Sequence, residues 1–128
     1  MYSLDGKCLI ACPTGRTGRV DIPEGVEEIA RNAFKLGSLE EVHFPSTLKK
    51  IGFMAFFYCK NLKKVDFGTG LEMIGSNVEK QCFVSCDNLK SIIIPPQVKS
   101  IGSRAFENSA VNELCISEGL VSVSNNAF

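Results

Sequence analysis

A chain of 128 residues has the length of one domain, and its fourteen basic and fourteen acidic side chains cancel. This balance excludes a bulk electrostatic attraction to nucleic acid or to an anionic membrane, so neither is expected as a partner. Apolar residues make up 45% of the chain and charged residues 22%, as in folded domains. No apolar run approaches the roughly 20 residues that span a bilayer, so no membrane insertion is expected.

The first nineteen residues differ from the rest of the chain. They lack the basic and apolar regions of a signal peptide, so we expect none in this chain. The Asp5-Gly6 pair favours a hairpin turn, and the stretches on either side of it, residues 2–4 and 8–11, are candidate short strands. Residues 1–19 are therefore predicted to form an N-terminal hairpin, or half-repeat cap, of a single domain that spans residues 1–128.

From residue 20 onward, the chain repeats at intervals of mostly 22 to 23 residues. One slot holds isoleucine or valine, at Ile29, Ile51, Ile74, Ile101 and Val123. A second slot holds phenylalanine, at Phe34, Phe56, Phe83, Phe106 and Phe128. Between Ile74 and Phe83 these slots are nine residues apart instead of five, so four residues are inserted near residues 76–81. Such an insertion predicts a loop on one side of a stack of about four and a half copies.

Each copy also contains two apolar residues separated by one residue, which is the alternation of a strand with one buried face. These couplets lie at residues 20–22, 42–44, 65–67, 92–94 and 114–116. The short period leaves room beside the strand for only a turn and a brief helical segment, which we assign to the Ala-Phe pair. Because one copy cannot bury its own apolar face, the copies must stack with isoleucine on isoleucine and phenylalanine on phenylalanine.

The combined pattern, IG..AF..C..L..V.IP..V..IG, resembles the BspA-like leucine-rich repeat family, also called the TpLRR type, over residues 20–128. One late copy departs from it at Ser109, where the family often has cysteine, and at Ser117, where it often has proline. The signature LxxLxLxxN is absent, so the chain does not resemble the ribonuclease-inhibitor or plant-receptor types.

The resemblance implies an α/β repeat solenoid that is mostly β. Its coils would form a right-handed leucine-rich-repeat stack with one parallel β-sheet face and short helical or 3₁₀ turns opposite. The resemblance also implies a bacterial cell-surface or secreted protein, and hence an extracellular location, with adhesion and binding to host or matrix molecules described in the family.

Two columns of residues are expected on the solvent side of the sheet. The middle column runs through Asp21, His43, Asp66, Ile93 and Cys115. The preceding column runs through Arg19, Glu41, Lys64, Ser91 and Glu113. With strands about 4.8 Å apart, the only histidine is flanked by two aspartates, which favours the imidazolium. A pH-sensitive or metal-assisting patch fits this pattern, but charge complementarity across the sheet is the more common reason for it.

Further along the same face, an outward Ile93 lies beside Cys115 and the small Ser91. An exposed apolar spot on a repeat array is a candidate partner contact, although single exposed isoleucines are also ordinary. The hypothetical binding surface for a protein or glycan ligand is therefore Asp21, His43, Lys64, Asp66, Ser91, Ile93, Glu113 and Cys115.

Three of the six cysteines fall in core slots. Cys82 replaces the alanine, and Cys59 and Cys86 lie three residues after the phenylalanine, as small buried residues would. Cys59 and Cys86 occupy equivalent slots on neighbouring coils, so a disulfide between them remains open at this point. The spacings Cys8-x-x-x-Cys12 and Cys82-x-x-x-Cys86 suggest a four-thiolate zinc site, but about three coils separate the two pairs, so no metal is expected.

A cysteine hydrolase with Cys115 as nucleophile and His43 as base fails on distance. The two residues are three strand spacings apart, roughly 14 Å, whereas proton transfer requires hydrogen-bond contact at about 3 Å. The chain also lacks a P-loop and a GxGxxG motif, so neither an enzymatic activity nor a cofactor is expected.

The sequence thus predicts a non-enzymatic protein- or glycan-binding module. The main alternative is a structural spacer, or a fragment of a longer array with its working site elsewhere, and an enzyme is the least favoured class. Phe128 belongs to a copy with no following strand, so we expect the array to continue or the uncapped coil to be covered, self-association being one such cover.

Overall fold

The structure, a computed structural model, describes residues 1–75 and 80–128 as a mostly β solenoid built from short parallel strands. In chain order, the strands are β1 (Cys8–Leu9), β2 (Thr17–Asp21), β3 (Glu28–Ile29), β4 (Ser38–His43), β5 (Lys50–Ile51), β6 (Lys64–Asp66), β7 (Met73–Ile74), β8 (Ser91–Ile94), β9 (Ser100–Ile101), β10 (Glu113–Ile116) and β11 (Ser122–Val123). The described residues contain no helix, and therefore none long and apolar enough to cross a membrane.

Each coil contributes one strand to each of two sheet columns. The even-numbered strands form the front sheet, in which β2-β4-β6 and β8-β10 pair in parallel. The odd-numbered strands form a narrower side sheet, from β1-β3-β5 and β7-β9-β11. The register aligns Val20 with Val42 and Val42 with Val65, so equivalent residues of successive copies pair as the repeat predicts.

The single continuous sheet predicted from the sequence is wrong in two respects. A second sheet column exists, because the residues around the isoleucine slot also form strands. The front sheet is also interrupted, since no hydrogen-bonded ladder joins β6 to β8 in the described part of the chain. The predicted four-residue insertion lies in sequence between these two strands, and its residues 76–79 fall outside the described residues.

The Ala-Phe segments form turns rather than the predicted helical or 3₁₀ segments. Residues two before and two after the phenylalanine slot have positive φ, as at Asn32 (57°) and Leu36 (59°), which a right-handed helix does not allow. The same geometry recurs at Met54, Tyr58, Gln81, Ser85, Arg104, Asn108 and Asn126. We call these segments the turn ribbon, which comprises residues 31–37, 53–59, 80–86, 103–109 and 125–128.

Hydrogen bonds between coils stabilise the turn ribbon. The Phe34 N–H donates to the Ala55 carbonyl at 2.8 Å, and the Phe56 N–H donates to the Cys82 carbonyl at 2.9 Å. The Phe83 N–H repeats this bond to the next coil. A positive φ at a residue other than glycine costs on the order of 1 kcal/mol, and these bonds offset that cost because they pair amides that would otherwise be buried without partners.

A column of five phenylalanine rings runs through the core. Neighbouring rings lie nearly parallel at 9°, with centroids 4.7 to 5.2 Å apart. The rings are those of Phe34, Phe56, Phe83, Phe106 and Phe128. Only the terminal ring, Phe128, is substantially exposed, at 45%. The stacking of phenylalanine on phenylalanine predicted from the repeat is therefore observed.

The glycine of the Ile-Gly pair has a steric role. A Cβ placed on Gly52 would lie 2.7 Å from the backbone of Ala30 and Arg31 in the preceding coil. Neighbouring backbones therefore approach each other too closely at this position for any side chain.

We predict that Phe56→Ala lowers the free energy of unfolding by about 3–5 kcal/mol, because it removes a fully buried ring between two others. Phe128→Ala should lower it by less than about 2 kcal/mol, since that ring is half exposed and stacks on one side only. Urea unfolding followed by far-UV circular dichroism measures both. Equal losses would contradict the stacked column.

Candidate functional site

The front sheet carries the eight residues predicted as a binding surface. All are exposed except His43, which is half-buried. The register places Asp21 beside His43 and His43 beside Asp66 on strands β2, β4 and β6. A second group on β8 and β10 pairs Ser91 with Glu113 and Ile93 with Cys115. The structure thus brings the predicted residues together as two groups, one on each side of the interruption.

Of the two aspartates that flank His43 in the register, one is its ion-pair partner. Its Nδ1 lies 3.3 Å from Asp66 Oδ2, and its Nε2 lies 3.6 Å from Glu41 Oε2 on its own strand. Asp21 instead pairs with Arg19, with Arg19 Nε donating to Asp21 Oδ1 at 2.8 Å. The predicted Asp-His-Asp row is therefore present in the register, but the first aspartate is engaged by the arginine two residues earlier on the same strand.

The charged half of the front sheet is built from local ion pairs. The hydrogen bond from Arg19 holds the pKa of Asp21 below its usual value. His43 Nε2 is buried without a hydrogen-bond partner among the described residues, at a distance from Glu41 too long for a hydrogen bond. Within residues 1–75 and 80–128, no group of three His, Cys, Asp or Glu side chains is placed to hold a metal ion.

A groove of about 240 Å³ lies where the front sheet is interrupted. Its lining residues are Lys64, Val65, Asp66, Phe67, Ile93 and Pro95. Ile93 is 63% exposed, while Val65 and Phe67 are buried behind the groove. Lys64 has no ion-pair partner in the described part of the chain, whereas Asp66 Oδ1 accepts a hydrogen bond from the Gly68 N–H at 3.0 Å. The groove thus combines an apolar centre with one cation and one anion at its rim.

Cys115 and His43 lie on strands β10 and β4, with β6 and β8 between them. At about 4.8 Å per strand, that separation is far greater than hydrogen-bond contact, so the thiol cannot transfer its proton to the imidazole.

The buried cysteines act as hydrogen-bond donors between coils, a role that sequence reasoning missed. Cys59 Sγ donates to the Phe34 carbonyl at 3.0 Å, and Cys86 Sγ donates to the Phe56 carbonyl at 3.2 Å. Ser109, in the same slot of the next coil, donates its hydroxyl to the Phe83 carbonyl. The signal was present in the sequence, because after Gly37 in the first copy this slot holds only cysteine or serine, which are small and can donate.

The disulfide left open by the sequence does not form. None of the six cysteines forms a disulfide, and the thiols of Cys59 and Cys86 both donate hydrogen bonds to carbonyls. Burial raises the pKa of the Cys59 thiol to about 12 and raises the pKa of Cys86 as well. Both thiols are therefore protonated at neutral pH and unreactive in the folded state.

We predict that stability falls as pH rises from about 8.5, where unfolded thiols ionise, towards 12, where Cys59 ionises in the folded state. Below that window the folded and unfolded thiols are both protonated, so Cys59 leaves stability independent of pH. Cys59→Ser keeps the hydrogen-bond donor but has no thiol to ionise. The free energy of unfolding of this variant should therefore fall less steeply with pH than that of the wild type, by up to about 1.4 kcal/mol per pH unit.

Urea midpoints between pH 7.5 and 10.5, with reductant present, measure this slope. Cys115→Ser is the matched control, because it makes the same substitution at an exposed position. If the wild type and Cys59→Ser decline in parallel, burial of the thiol does not determine the alkaline stability.

Comparison with known proteins finds a repeat family whose pattern matches this chain. Residues 14–128 match the BspA type leucine rich repeat region, in six copies. Among curated proteins, no sequence matches this chain.

Solved structures share the fold. A leucine rich cell surface protein from Faecalibacterium prausnitzii A2-165 is 26% identical, with a TM-score of 0.75 over 98% of this chain and 38% of its own. The pneumococcal vaccine antigen PcpA is 23% identical, with a TM-score of 0.81 over 99% of this chain and 33% of its own, which shows likeness of fold alone. A T. pallidum leucine rich repeat protein is 26% identical, with a TM-score of 0.56 over 89% of this chain and 66% of its own. The chain thus spans from a third to about two thirds of the length of these proteins.

Proposed function

The chain belongs to the BspA-type leucine-rich repeat family, and from this premise we propose that it is a non-enzymatic binding module of a bacterial surface or secreted protein. The proposed ligand is a protein or a glycan, held on the front sheet. A cell-surface protein among the similar solved structures supports the proposed extracellular location. The observation that carries the proposal is the groove between β6 and β8, with Ile93 exposed at its edge.

Ile93 supplies the apolar anchor of the proposed contact. Covering a largely exposed isoleucine contributes on the order of 1.5–3 kcal/mol, which is enough to dominate a small interface. Its neighbour across the ladder is Cys115, whose small side chain leaves the isoleucine open. An apolar centre of this kind favours a protein ligand over a glycan, since sugars offer less apolar surface to cover.

The charged half of the front sheet forms the polar border of the proposed contact around Ile93. Lys64 and Asp66 border the groove directly, and Asp21 and His43 extend the charged surface along the adjoining strands. Ser91 and Glu113 flank the apolar pair on the other side. Charges at a rim set the orientation and rate of association more than its affinity. We therefore assign specificity to the charged residues and affinity to Ile93.

A structural spacer is the second candidate. It is favoured by the regularity of the stack and by the fraction of the similar proteins that the chain spans, 33% to 66%. In this case the working site would lie in another part of a longer protein. An enzyme remains the weakest candidate, because the one thiol and the one imidazole of the front sheet lie on strands too far apart to react.

Immobilised host matrix proteins and glycans, screened by biolayer interferometry, test the proposal. For any ligand that binds, the double variant Ile93→Lys with Cys115→Lys should weaken affinity by about tenfold or more, because it places two charges in the apolar centre. Circular dichroism should show an unchanged fold, since both side chains are exposed.

Met73→Lys is the matched control, because Met73 is an exposed apolar residue on the side sheet, at 45%. It should leave affinity unchanged. A spacer predicts no binding, or binding that the double variant does not alter, and either result would overturn the front-sheet proposal.

Self-association through the last coil is a further contact that we propose. Exposed apolar side chains support it, among them Val121 at 81% and Val123 at 48%. Light scattering of the free chain separates this association from ligand binding, since Val123→Lys should abolish it and leave the front sheet intact.

A further inference from the structure

A second surface lies on the turn ribbon, on a different side of the coil from the front sheet. Three cations lie over three aromatic rings: Arg31 Cζ over Phe53 at 5.0 Å, Lys35 Nζ over Phe57 at 5.6 Å, and Lys60 Nζ over Tyr58 at 4.7 Å, each measured to the ring centroid. Energetically significant cation-π contacts occur about once per 70–80 residues, so three of them within two coils is more than an average protein surface has. We call this the basic-aromatic patch.

The 22-residue repeat places two cations of the patch beside its aromatic rings. Arg31 and Phe53 occupy the same slot of successive coils, as do Lys35 and Phe57, so each of these two cations lies beside the ring 22 residues later. Lys60 and Tyr58 lie two residues apart in one coil. The Leu36 N–H donates to the Phe57 carbonyl at 2.8 Å, which joins the two coils beneath the patch. The ring centroids of Phe57 and Tyr58 lie 5.0 Å apart, so these two rings form one continuous aromatic surface.

The patch is exposed and positively charged. Leu36 is 56% exposed and Tyr58 39% exposed. Arg31 and Lys35 are exposed and have no ion-pair partner among the described residues, whereas Lys60 lies 3.8 Å from Asp87. A chain with no net charge therefore presents at least two unpaired cations beside exposed apolar side chains on one side.

We propose that the basic-aromatic patch binds an acidic polypeptide segment. Carboxylates of the segment would pair with Arg31 and Lys35, and an aliphatic side chain between them would pack on Leu36 and Tyr58. Interfaces are enriched in aromatic residues and arginine, and a guanidinium that already lies on a ring loses little hydration when it binds a carboxylate. This surface is separate from the front sheet, so both can be occupied at once.

An anionic glycan fits the patch less well. Sugars bind aromatic residues by stacking on the face of a ring, and here each of the three rings already has a cation over one face. The exposed Leu36 also offers an aliphatic contact that a polypeptide side chain can cover and a sulfated sugar cannot. Charge and apolar surface together therefore favour the polypeptide.

Fluorescence anisotropy with a labelled twelve-residue peptide of glutamate and leucine, at physiological ionic strength, tests the proposal on the intact chain. The double variant Arg31→Glu with Lys35→Glu should weaken binding at least about tenfold, because it reverses both charges that face the carboxylates. A peptide with glutamine in place of glutamate should bind as weakly to the wild type as the acidic peptide does to the variant.

The double variant Lys90→Glu with Lys99→Glu changes the net charge equally, on exposed lysines outside the patch, and should alter binding by less than about twofold. Leu36→Asn tests the apolar contact, since asparagine tolerates the positive φ of this position, and it should also weaken binding. Ile93→Lys with Cys115→Lys should bind the peptide as the wild type does.

Three results would overturn the proposal: equal losses in the two charge-reversed variants, no binding of the acidic peptide at millimolar concentration, or heparin binding in place of the peptide. The first would mean that bulk charge alone attracts the peptide. The third would reassign the patch to an anionic glycan.

Discussion

No coil of this chain is complete without its neighbour. A single coil exposes one face of its phenylalanine and leaves the N–H groups of its turn ribbon without partners, and the next coil supplies both missing contacts. The Phe56 ring lies between Phe34 and Phe83, and the Phe56 N–H donates to the carbonyl of Cys82. Stability is therefore a property of the stack, with each interface adding to it.

This dependence explains features that are unfavourable in isolation. Residues such as Met54 and Tyr58 adopt positive φ because that conformation directs amides towards the next coil. The glycine of the Ile-Gly pair keeps its place because two backbones meet there. Buried thiols recur because each donates a hydrogen bond to the coil before it. In every case a local cost is offset by a contact between coils.

Sequence periodicity predicted the contacts that repeat and missed those that do not. The spacing of 22 and 23 residues between Val20, Val42 and Val65 was sufficient to predict that these strands pair and in which register. Spacing could not predict the conformation of the turn ribbon, because its left-handed positions hold helix formers such as leucine and methionine as well as asparagine. The interruption of the front sheet also depends on how two coils meet and not on either coil alone.

The candidate site shows the same limit. Which residues face outward followed from the strand alternation, and the structure places all eight on the front sheet. The strand alternation did not predict which of these residues pair with each other. Arg19 pairs with Asp21 on the same strand, and His43 lies beside Glu41 and Asp66. The basic-aromatic patch was missed because two of its three cation-ring pairs are 22 residues apart and come together only when the coils stack.

The stack therefore determines both surfaces, since the front sheet and the turn ribbon present side chains of different chemistry at positions fixed by one set of contacts between coils. Scalar couplings across hydrogen bonds, measured by NMR on the isotopically labelled chain, test those contacts directly. The account predicts correlations from the Phe34 nitrogen to the Ala55 carbonyl carbon and from the Phe56 nitrogen to the Cys82 carbonyl carbon. Correlations from these nitrogens to carbonyls three or four residues earlier would show helical turns within each coil and would contradict it.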